Sequence, residues 1–214
     1  MIKKNISNLI VGSNRIALEA IVRACRNSSV YVPLISTTCL QGEARNVARQ
    51  LVDVIMRDPD DLTWPKHGVG LFQNQTAFEN VQKLVREHQR YCLLLGGETT
   101  VILNGQIGKG GRCQEIAVSA ALAMTEFNRK KSVLLLAAGS DGVDGPTDAA
   151  GGFAYNEMLV NIEDQERARL TLDQHDTYHF LNQFNGGENL LKIGHTNTNV
   201  MDILIVLVDR SVDS

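Results

Sequence analysis

Two glycine-rich segments hold most of the residues that could bind or activate a small anion. The first, Gly105–Arg112, leads directly into a predicted helix over Arg112–Phe127 and carries two cations, Lys109 and Arg112. A helix N-terminus offers unpaired N–H groups and a partial positive charge, and glycines there let an anion approach the backbone closely. The segment therefore predicts a phosphate or carboxylate site, with a solvent-exposed turn as the alternative.

The second segment, Ala138–Gly151, follows a predicted buried strand and carries three aspartates, Asp141, Asp144 and Asp148. Ligands of open α/β sheets bind at the carboxyl ends of strands, so this position favours a site. The carboxylates could hold Mg²⁺, which prefers carboxylate oxygens, or one could accept the proton of a substrate hydroxyl. The alternative is ordinary Asp-Gly turn chemistry and a helix cap.

Four smaller polar features accompany these segments. Glu98 lies in a predicted tight turn, and the hydroxyls and amides of Thr196–Asn199 either line a ligand site or satisfy loop backbone. Glu115 follows Arg112 by three residues, which predicts an ion pair on one helix face. The two histidines at 175 and 179 have helical spacing without nearby cysteines, which favours a helix surface over a metal site.

The elements that must position these residues alternate between strand and helix. This order predicts an α/β fold of three layers, α/β/α, around a largely parallel or mixed sheet, preceded by two strand–helix units. Strands are predicted over 8–12, 30–35, 91–95, 99–103, 132–138, 189–193 and 202–208. Helices are predicted from about 14, then over 42–56, 76–90, 112–127, 163–172 and 176–184, with a linker or surface loop over 57–75.

The composition limits the class of protein. The 214 residues are 43% hydrophobic with a net charge of -3, which fits a globular chain and gives no basic footprint for nucleic acid. No apolar run reaches the roughly 18 residues of a membrane span, and the first residues lack the apolar core of a secretory signal. Four cysteines without metal spacing predict reduced thiols in the cytoplasm, with the mitochondrion as the alternative.

At these residues the sequence resembles the MOFRL domain. That domain is the C-terminal part of the glycerate kinase family, whose bacterial members are also called hydroxypyruvate reductases. The motifs that carry the resemblance are Gly96–Val101, Gly108–Glu115 and Asp141–Gly151, joined by Thr196–Asp202, Ile10–Asn14 and Gly42–Arg45. The resemblance implies that 1–60 end an incomplete N-terminal domain, that 61–90 form a linker and helix, and that 91–214 form a MOFRL-like domain.

The resemblance implies ATP- and Mg²⁺-dependent phosphorylation of D-glycerate in a cleft between two α/β domains. Carried over by motif, the catalytic residues would be Lys109, Arg112, Asp141 and Asp144. The substrate- and cofactor-binding residues would be Gly97, Glu98, Gly110, Gly111, Asp148, Thr196 and Asn199, and Asp141 and Asp148 would hold Mg²⁺. The implied partners are glycerate, a nucleotide and a missing N-terminal domain, with neither nucleic acid nor membrane among them.

The sequence departs from the family pattern in composition and in length. The family usually has Asn at Cys113, and Pro and Gly at His195 and Asn197, where glycine would be free to adopt a positive φ. Family members are roughly twice as long, which is the scale of two full domains. The chain is therefore expected to be a fragment or a short isoform, nearly inactive alone.

The alternative functions are a non-catalytic anion-binding module and a hydroxypyruvate reductase, although no dinucleotide fingerprint is visible.

Overall fold

A computed structural model describes residues 9–64, 70–105, 108–127 and 131–210. Its helices are α1 (Asn14–Ser28), α2 (Ala44–Met56), α3 (Gln75–Glu87), α4 (Arg112–Met124), α5 (Ile162–Asp173) and α6 (Thr177–Gln183). Its strands are β1 (Val32–Leu40), β2 (Arg90–Gly97), β3 (Ser132–Gly139), β4 (Gly151–Tyr155), β5 (Leu190–Leu191) and β6 (Asp202–Asp209). A short 3-10 helix, Phe184–Gly187, follows α6.

The strands of the described residues form one mixed sheet in the order β1-β2-β6-β3-β4-β5. β1 and β2 run parallel, and the other neighbouring pairs run antiparallel. β6 comes last in the chain but lies in the middle of the sheet, between β2 and β3. The predicted α/β fold with a mixed sheet is therefore confirmed, with a single parallel pair among the described strands.

Helices cover both faces of the sheet. On one face Tyr91, Leu93 and Leu95 of β2 belong to a large core that also contains buried residues of α2, α3, α4, α5 and α6. On the other face Cys92 and Leu94 pack against Leu18 of α1. This alternation follows from the two-residue period of a strand, which sends successive side chains to opposite faces. In the described part of the chain, no helix combines the length and apolar character needed to cross a membrane.

The first part of the chain joins the same sheet as the rest. β1 pairs with β2, and α2 packs against α4. Beyond the strands, the N–H of Glu98 donates to Leu40 at 2.9 Å and the N–H of Ala44 donates to Thr100 at 2.8 Å. The predicted division at 1–60, 61–90 and 91–214 stays a prediction, but β1 and α2 share the core of the later elements.

Two predicted strands are wrong and one strand was missed. Residues 9–12 and 99–103 form no strand, and residue 8 lies outside the described residues. Gly96 and Gly97 do not turn the chain, because β2 stays extended through Gly97, which pairs with both Leu40 and Asp202. β4 was overlooked because it begins with two glycines, which disfavour strands unless pairing partners are present on both sides.

The predicted loop over 57–75 has neither helix nor strand in its described residues, up to the start of α3 at Gln75. Residues 65–69 lie outside the described part. The loop nevertheless contributes to the core, since Leu71 is buried and Trp64 and Phe72 pack against Phe78 of α3.

Candidate active site

The candidate residues gather at one edge of the sheet. β2 ends there at Gly97 and β3 ends there at Gly139, and both glycines pair with Asp202, the first residue of β6. β4 also begins at this edge, because Gly151 pairs with Ala138. Gly97 is the last residue of β2 and Arg112 is the first residue of α4, and the other predicted site residues lie in the loops that follow or precede these strand ends. Residues 106 and 107 of the first glycine-rich segment lie outside the described residues.

Arg112, the first residue of α4, is held by two carboxylates. Its Nε and Nη2 donate to Asp202 at 2.6 and 2.8 Å, and Nη2 lies 3.2 Å from Glu98 Oε1. The side chain of Asp202 is 1% exposed and that of Glu98 is 55% exposed. Hydrogen bonding to Asp202 raises the pKa of Arg112, whereas burial raises the pKa of Asp202 despite the guanidinium. Arg112 is thus a fixed cation with one exposed partner, Glu98, that an external anion could replace.

Asp202 was missed by sequence reasoning as a site residue. The sequence feature that could have indicated Asp202 is an acidic residue at the first position of an apolar strand, directly after a polar loop. Such a residue ends up at the sheet edge, where it orients Arg112 rather than facing a ligand.

Asp144 caps α4 from inside the protein. Its Oδ1 accepts from the N–H of Cys113 at 3.0 Å, and its Oδ2 accepts from the N–H of Gln114 at 2.9 Å and from its amide Nε2 at 3.0 Å. Gly111 stands at the N-cap position without a side chain, so Asp144 supplies the cap from a distant loop. Asp144 is 1% exposed. This position argues against the predicted catalytic role, because the carboxylate is enclosed by the helix it caps.

The burial of Asp144 predicts a pH dependence of stability. Burial raises the pKa of Asp144 to about 6, against the opposing effect of the N–H groups of Gln114 and Cys113. The folded state then binds the proton more tightly than the unfolded state, so this stabilisation is complete below the ordinary pKa and is lost as the pH rises through about 6.

Relative to the non-titrating variant Asp144→Asn, the unsubstituted chain is expected to lose on the order of 2 kcal/mol of unfolding free energy between about pH 4 and pH 7.5. Urea unfolding of both proteins at the two pH values measures this difference. A difference between the two proteins that does not change with pH would contradict the assignment.

Three glycines that were predicted to bind a ligand allow close packing inside the protein. A Cβ at Gly97 would overlap the backbone of β1, and a Cβ at Gly111 would overlap Asp144. A Cβ at Gly110 would meet the hydroxyl of Thr177. Packing therefore requires glycine at these positions whether or not a ligand binds, and the ligand role stays a prediction.

The structure brings Asp141, Thr196 and Asn199 together. The N–H of Thr196 donates to the Asp141 carbonyl at 3.0 Å, and Asn199 Nδ2 donates to Asp141 Oδ2 at 3.1 Å. The Thr196 hydroxyl also donates to the Ser140 carbonyl at 2.6 Å. Asn197 has a φ of 57°, so asparagine adopts here the left-handed conformation for which the family usually has glycine.

Lys109 and Asp148 belong to a second, exposed cluster around Tyr178. The Tyr178 hydroxyl donates to Asp148 Oδ1 at 2.6 Å, and this bond lowers the pKa of Asp148. Lys192 Nζ lies 3.4 Å from Asp148 Oδ2, and Lys109 Nζ lies 4.2 Å from the Tyr178 ring centroid. The ammonium of Lys109 therefore lies over the aromatic ring of Tyr178 in a cation–π contact.

The predicted Mg²⁺ ligands Asp141 and Asp148 differ in how well they fit a cation. Asp148 already neighbours the ammonium of Lys192, whose charge opposes a metal ion. Asp141 is half-buried with its oxygens oriented by Val143 and Asn199, and one carboxylate can bind Mg²⁺ together with phosphate oxygens and water. Within the described ranges, no group of three or more His, Cys, Asp or Glu side chains could hold a metal.

A cavity of about 480 Å³ lies beside Arg112, between the start of α4 and the segment that follows β2. Its aliphatic wall is formed by Val101, Leu103 and Pro146. The exposed side chain of Glu98 stands at its mouth with Arg112, and buried residues form its floor. The cavity thus joins the fixed cation to an apolar surface.

A buried polar network forms the floor of this cavity. Its contacts show that two predictions made from the sequence are wrong. Glu115 pairs with Arg45 Nε at 2.5 Å rather than with Arg112, and its Oε2 lies 3.3 Å from His175 Nδ1. His175 is 6% exposed, so its predicted place on a helix surface is wrong. The N–H of Asn104 donates to His175 Nε2 at 3.3 Å, and His175 Nδ1 lies 3.3 Å from Glu115 Oε2 and 3.2 Å from Arg45 Nη2.

Comparison with known families identifies the chain. The model of the MOFRL family matches residues 91–202, more than half of the chain. The chain belongs to the MOFRL family. The matched segment includes every predicted site residue of the MOFRL chain, together with Asp202.

Relatives of the MOFRL chain match it over nearly its whole length. A glycerate kinase of Danio rerio is 32% identical over 98% of this chain and 44% of its own length. A glycerate 2-kinase of Pyrococcus horikoshii is 33% identical over 95% of this chain and 40% of its own. The crystal structure of a glycerate kinase from Thermotoga maritima has a TM-score of 0.72 at 28% identity, covering 96% of this chain and 42% of that one.

The resemblance to MOFRL domains and glycerate kinases is therefore confirmed. The MOFRL chain spans about two fifths of the length of the curated relatives that it matches.

Proposed function

We propose that the MOFRL chain forms one wall of a glycerate kinase site, in which ATP phosphorylates a hydroxyl of D-glycerate. The observation that carries the proposal is the position of Arg112, fixed by Asp202 at the start of α4 within the matched segment. The names of the relatives from Danio rerio and Pyrococcus horikoshii support the substrate class. Phosphoryl transfer depends mainly on positioning and charge neutralisation, which a fixed guanidinium provides.

In this proposal Arg112 binds anionic oxygens of the nucleotide or the acid once Glu98 releases it. Glu98 is more than half exposed, so exchanging its ion pair for water costs little. Asp202 keeps the guanidinium in place during the exchange, because it holds two of its N–H groups. Lys109 supplies a second cation from the neighbouring cluster, and Asp144 acts only by positioning α4.

Asp141 is the residue that we propose for the acceptor hydroxyl and for Mg²⁺. Its carboxylate is oriented by Val143 and Asn199, and Thr196 ties the neighbouring loop to it. Mg²⁺ bound there together with phosphate oxygens would neutralise charge on the transferred phosphoryl group. Asp148 is left out of the metal site because Lys192 neutralises it.

The isolated chain is expected to be nearly inactive. The relatives are more than twice as long, and we infer that the opposite wall of the site comes from their unmatched part. The test measures ATP consumption and phosphoglycerate formation with D-glycerate, for the chain alone and for a form extended upstream. Turnover by the extended form at least ~100-fold above the isolated chain is expected, because positioning both reactants needs both walls. No turnover by the extended form would contradict the proposal.

A non-catalytic anion- or nucleotide-binding module is the second candidate. It is favoured by one observation: Arg112 and its partners are already fixed within this chain. Calorimetry with ADP, inorganic phosphate and D-glycerate separates the two candidates. Binding by the chain, combined with no turnover in the extended form, would favour the module.

A further inference from the structure

We propose that the cavity beside Arg112 binds the nucleoside part of a nucleotide, with the base against the wall formed by Val101, Leu103 and Pro146. The inference rests on the proposed function, since a kinase must hold a nucleotide next to its anion site. It assigns a ligand class to a part of the site that none of the predicted catalytic roles explains.

The size of the cavity favours a nucleoside over glycerate. Its volume of about 480 Å³ falls within the roughly 300–1,000 Å³ of pockets that enclose drug-sized ligands. Glycerate has only three carbon atoms, so it would leave most of this space filled with water. A nucleoside combines a flat base with a sugar and fills a cavity of this size.

The chemistry of the cavity wall also favours a nucleoside over glycerate. Val101, Leu103 and Pro146 offer aliphatic surface, which can bury the apolar faces of a base. Glycerate carries an oxygen on every carbon, and each of these oxygens would lose hydrogen bonds to water against such a wall. Leu103 is 53% exposed, so a bound base would remove its aliphatic surface from water.

The polar groups at the floor of the cavity already have partners in the protein. The carboxylate of Glu115 is paired with Arg45, and the N–H of Asn104 donates to His175 Nε2. A phosphate would compete with the Glu115 carboxylate for Arg45, whereas an uncharged base would not. The buried floor and the charged mouth thus select different parts of one ligand.

The mouth of the cavity fits the other parts of a nucleotide. Glu98 is exposed there and can accept hydrogen bonds from ribose hydroxyls, as acidic side chains do in dinucleotide-binding folds. Arg112 stands beside it at the N-terminus of α4, where phosphates bind well. The ligand then lies with its base inside the cavity, its ribose near Glu98 and its phosphates at Arg112.

The test uses the isotopically labelled chain and follows its amide resonances by NMR during titration with adenosine, ADP and D-glycerate. Adenosine has no phosphate, so it reports on the cavity alone. We expect adenosine and ADP to shift resonances of residues 99–103 and 110–112. The variant Leu103→Gln should weaken adenosine binding about tenfold, because it replaces aliphatic contact with a polar amide.

The matched control is Ile102→Gln. Ile102 is 60% exposed and adjacent to Leu103, but it does not line the cavity. This variant should bind adenosine as the unsubstituted chain does. Equal weakening in both variants would overturn the assignment of the wall, and so would titrations in which adenosine shifts no resonance of residues 99–103 at its solubility limit. Shifts of these resonances by D-glycerate instead of adenosine would assign the cavity to the acid.

Failure of the proposed kinase activity has a different readout. In that case the extended form consumes no ATP in the presence of D-glycerate, whatever the titrations of the isolated chain show. If the extended form is active as a kinase but the isolated chain binds adenosine outside the cavity, only the inference about the cavity is overturned.

Discussion

Replacement of Arg112 by methionine is expected to lower the free energy of unfolding by about 3–5 kcal/mol. The substitution removes the guanidinium that donates two hydrogen bonds to Asp202, a carboxylate that is 1% exposed. A buried carboxylate that loses its paired cation keeps its desolvation cost without the attraction that offset it. Urea unfolding followed by circular dichroism measures the loss, with the slope checked for two-state behaviour.

The matched control is Arg49→Met, which removes an ion pair on the surface. Arg49 lies 2.8 Å from Glu126, and the two side chains are 64% and 55% exposed. Solvent screens such a pair, so the expected loss is below about 1 kcal/mol. Similar losses in the two variants would show that the burial of Asp202 does not govern the stability at this edge.

The same residue should govern catalysis in the extended form. Arg112→Lys keeps the charge but cannot make the paired hydrogen bonds to Asp202, so the cation loses its fixed position. We expect kcat to fall at least ~100-fold, which is the scale of losing one oriented charge in a transition state. A variant with unchanged kcat and raised KM would instead show that Arg112 contributes only to ground-state binding.

The second large effect is expected from Arg45→Met in the floor of the cavity. Glu115 is 2% exposed and lies 2.5 Å from Arg45 Nε, so the substitution leaves a second buried carboxylate without its cation. We expect a loss of about 3 kcal/mol or more. His175 contacts Glu115 as well, with Nδ1 at 3.3 Å from Glu115 Oε2.

The double variant Arg45→Met, Glu115→Gln separates the loss of the Arg45–Glu115 ion pair from the loss of the other contacts of Arg45. Removing both charges should recover most of the stability that the single variant loses, and a double-mutant cycle gives the coupling between the two residues. If the double variant is as unstable as Arg45→Met alone, the loss comes from the hydrogen bond that Arg45 Nη2 donates to the Leu172 carbonyl instead of from the ion pair, since methionine keeps most of the aliphatic side chain. Thermal unfolding of all four proteins supplies the same comparison independently.

Local patterns in the sequence were sufficient for most helices and for the central strands. The apolar positions of α2 recur with helical spacing, and all of them are buried. The apolar run of β3 lies in the middle of the sheet next to β6, as such runs do in α/β folds. These elements depend on residues close in sequence, which is why periodicity alone located them.

Elements whose state depends on distant partners were harder to predict. The segment 99–103 has the composition of a strand, yet apart from a bridge between Thr100 and Glu43 it serves as a wall of the cavity. Gly96 and Gly97 have the composition of a turn, yet pairing on both sides keeps them in β2. Local propensity is a weak guide where neighbouring strands supply the hydrogen bonds.

The sequence by itself determined the α/β fold class and the grouping of glycines, aspartates and cations that marks the site, because strand ends of one sheet edge bring such loops together. Only the tertiary structure decided which carboxylate pairs with which cation. Arg112 pairs with Asp202, ninety positions away, and Glu115 pairs with Arg45, seventy positions away. Likewise, only the structure shows that Asp144 caps α4 and that the Lys109 ammonium lies over the Tyr178 ring. Ion pairs and caps depend on distance in space, which sequence spacing does not specify once the chain folds back on itself.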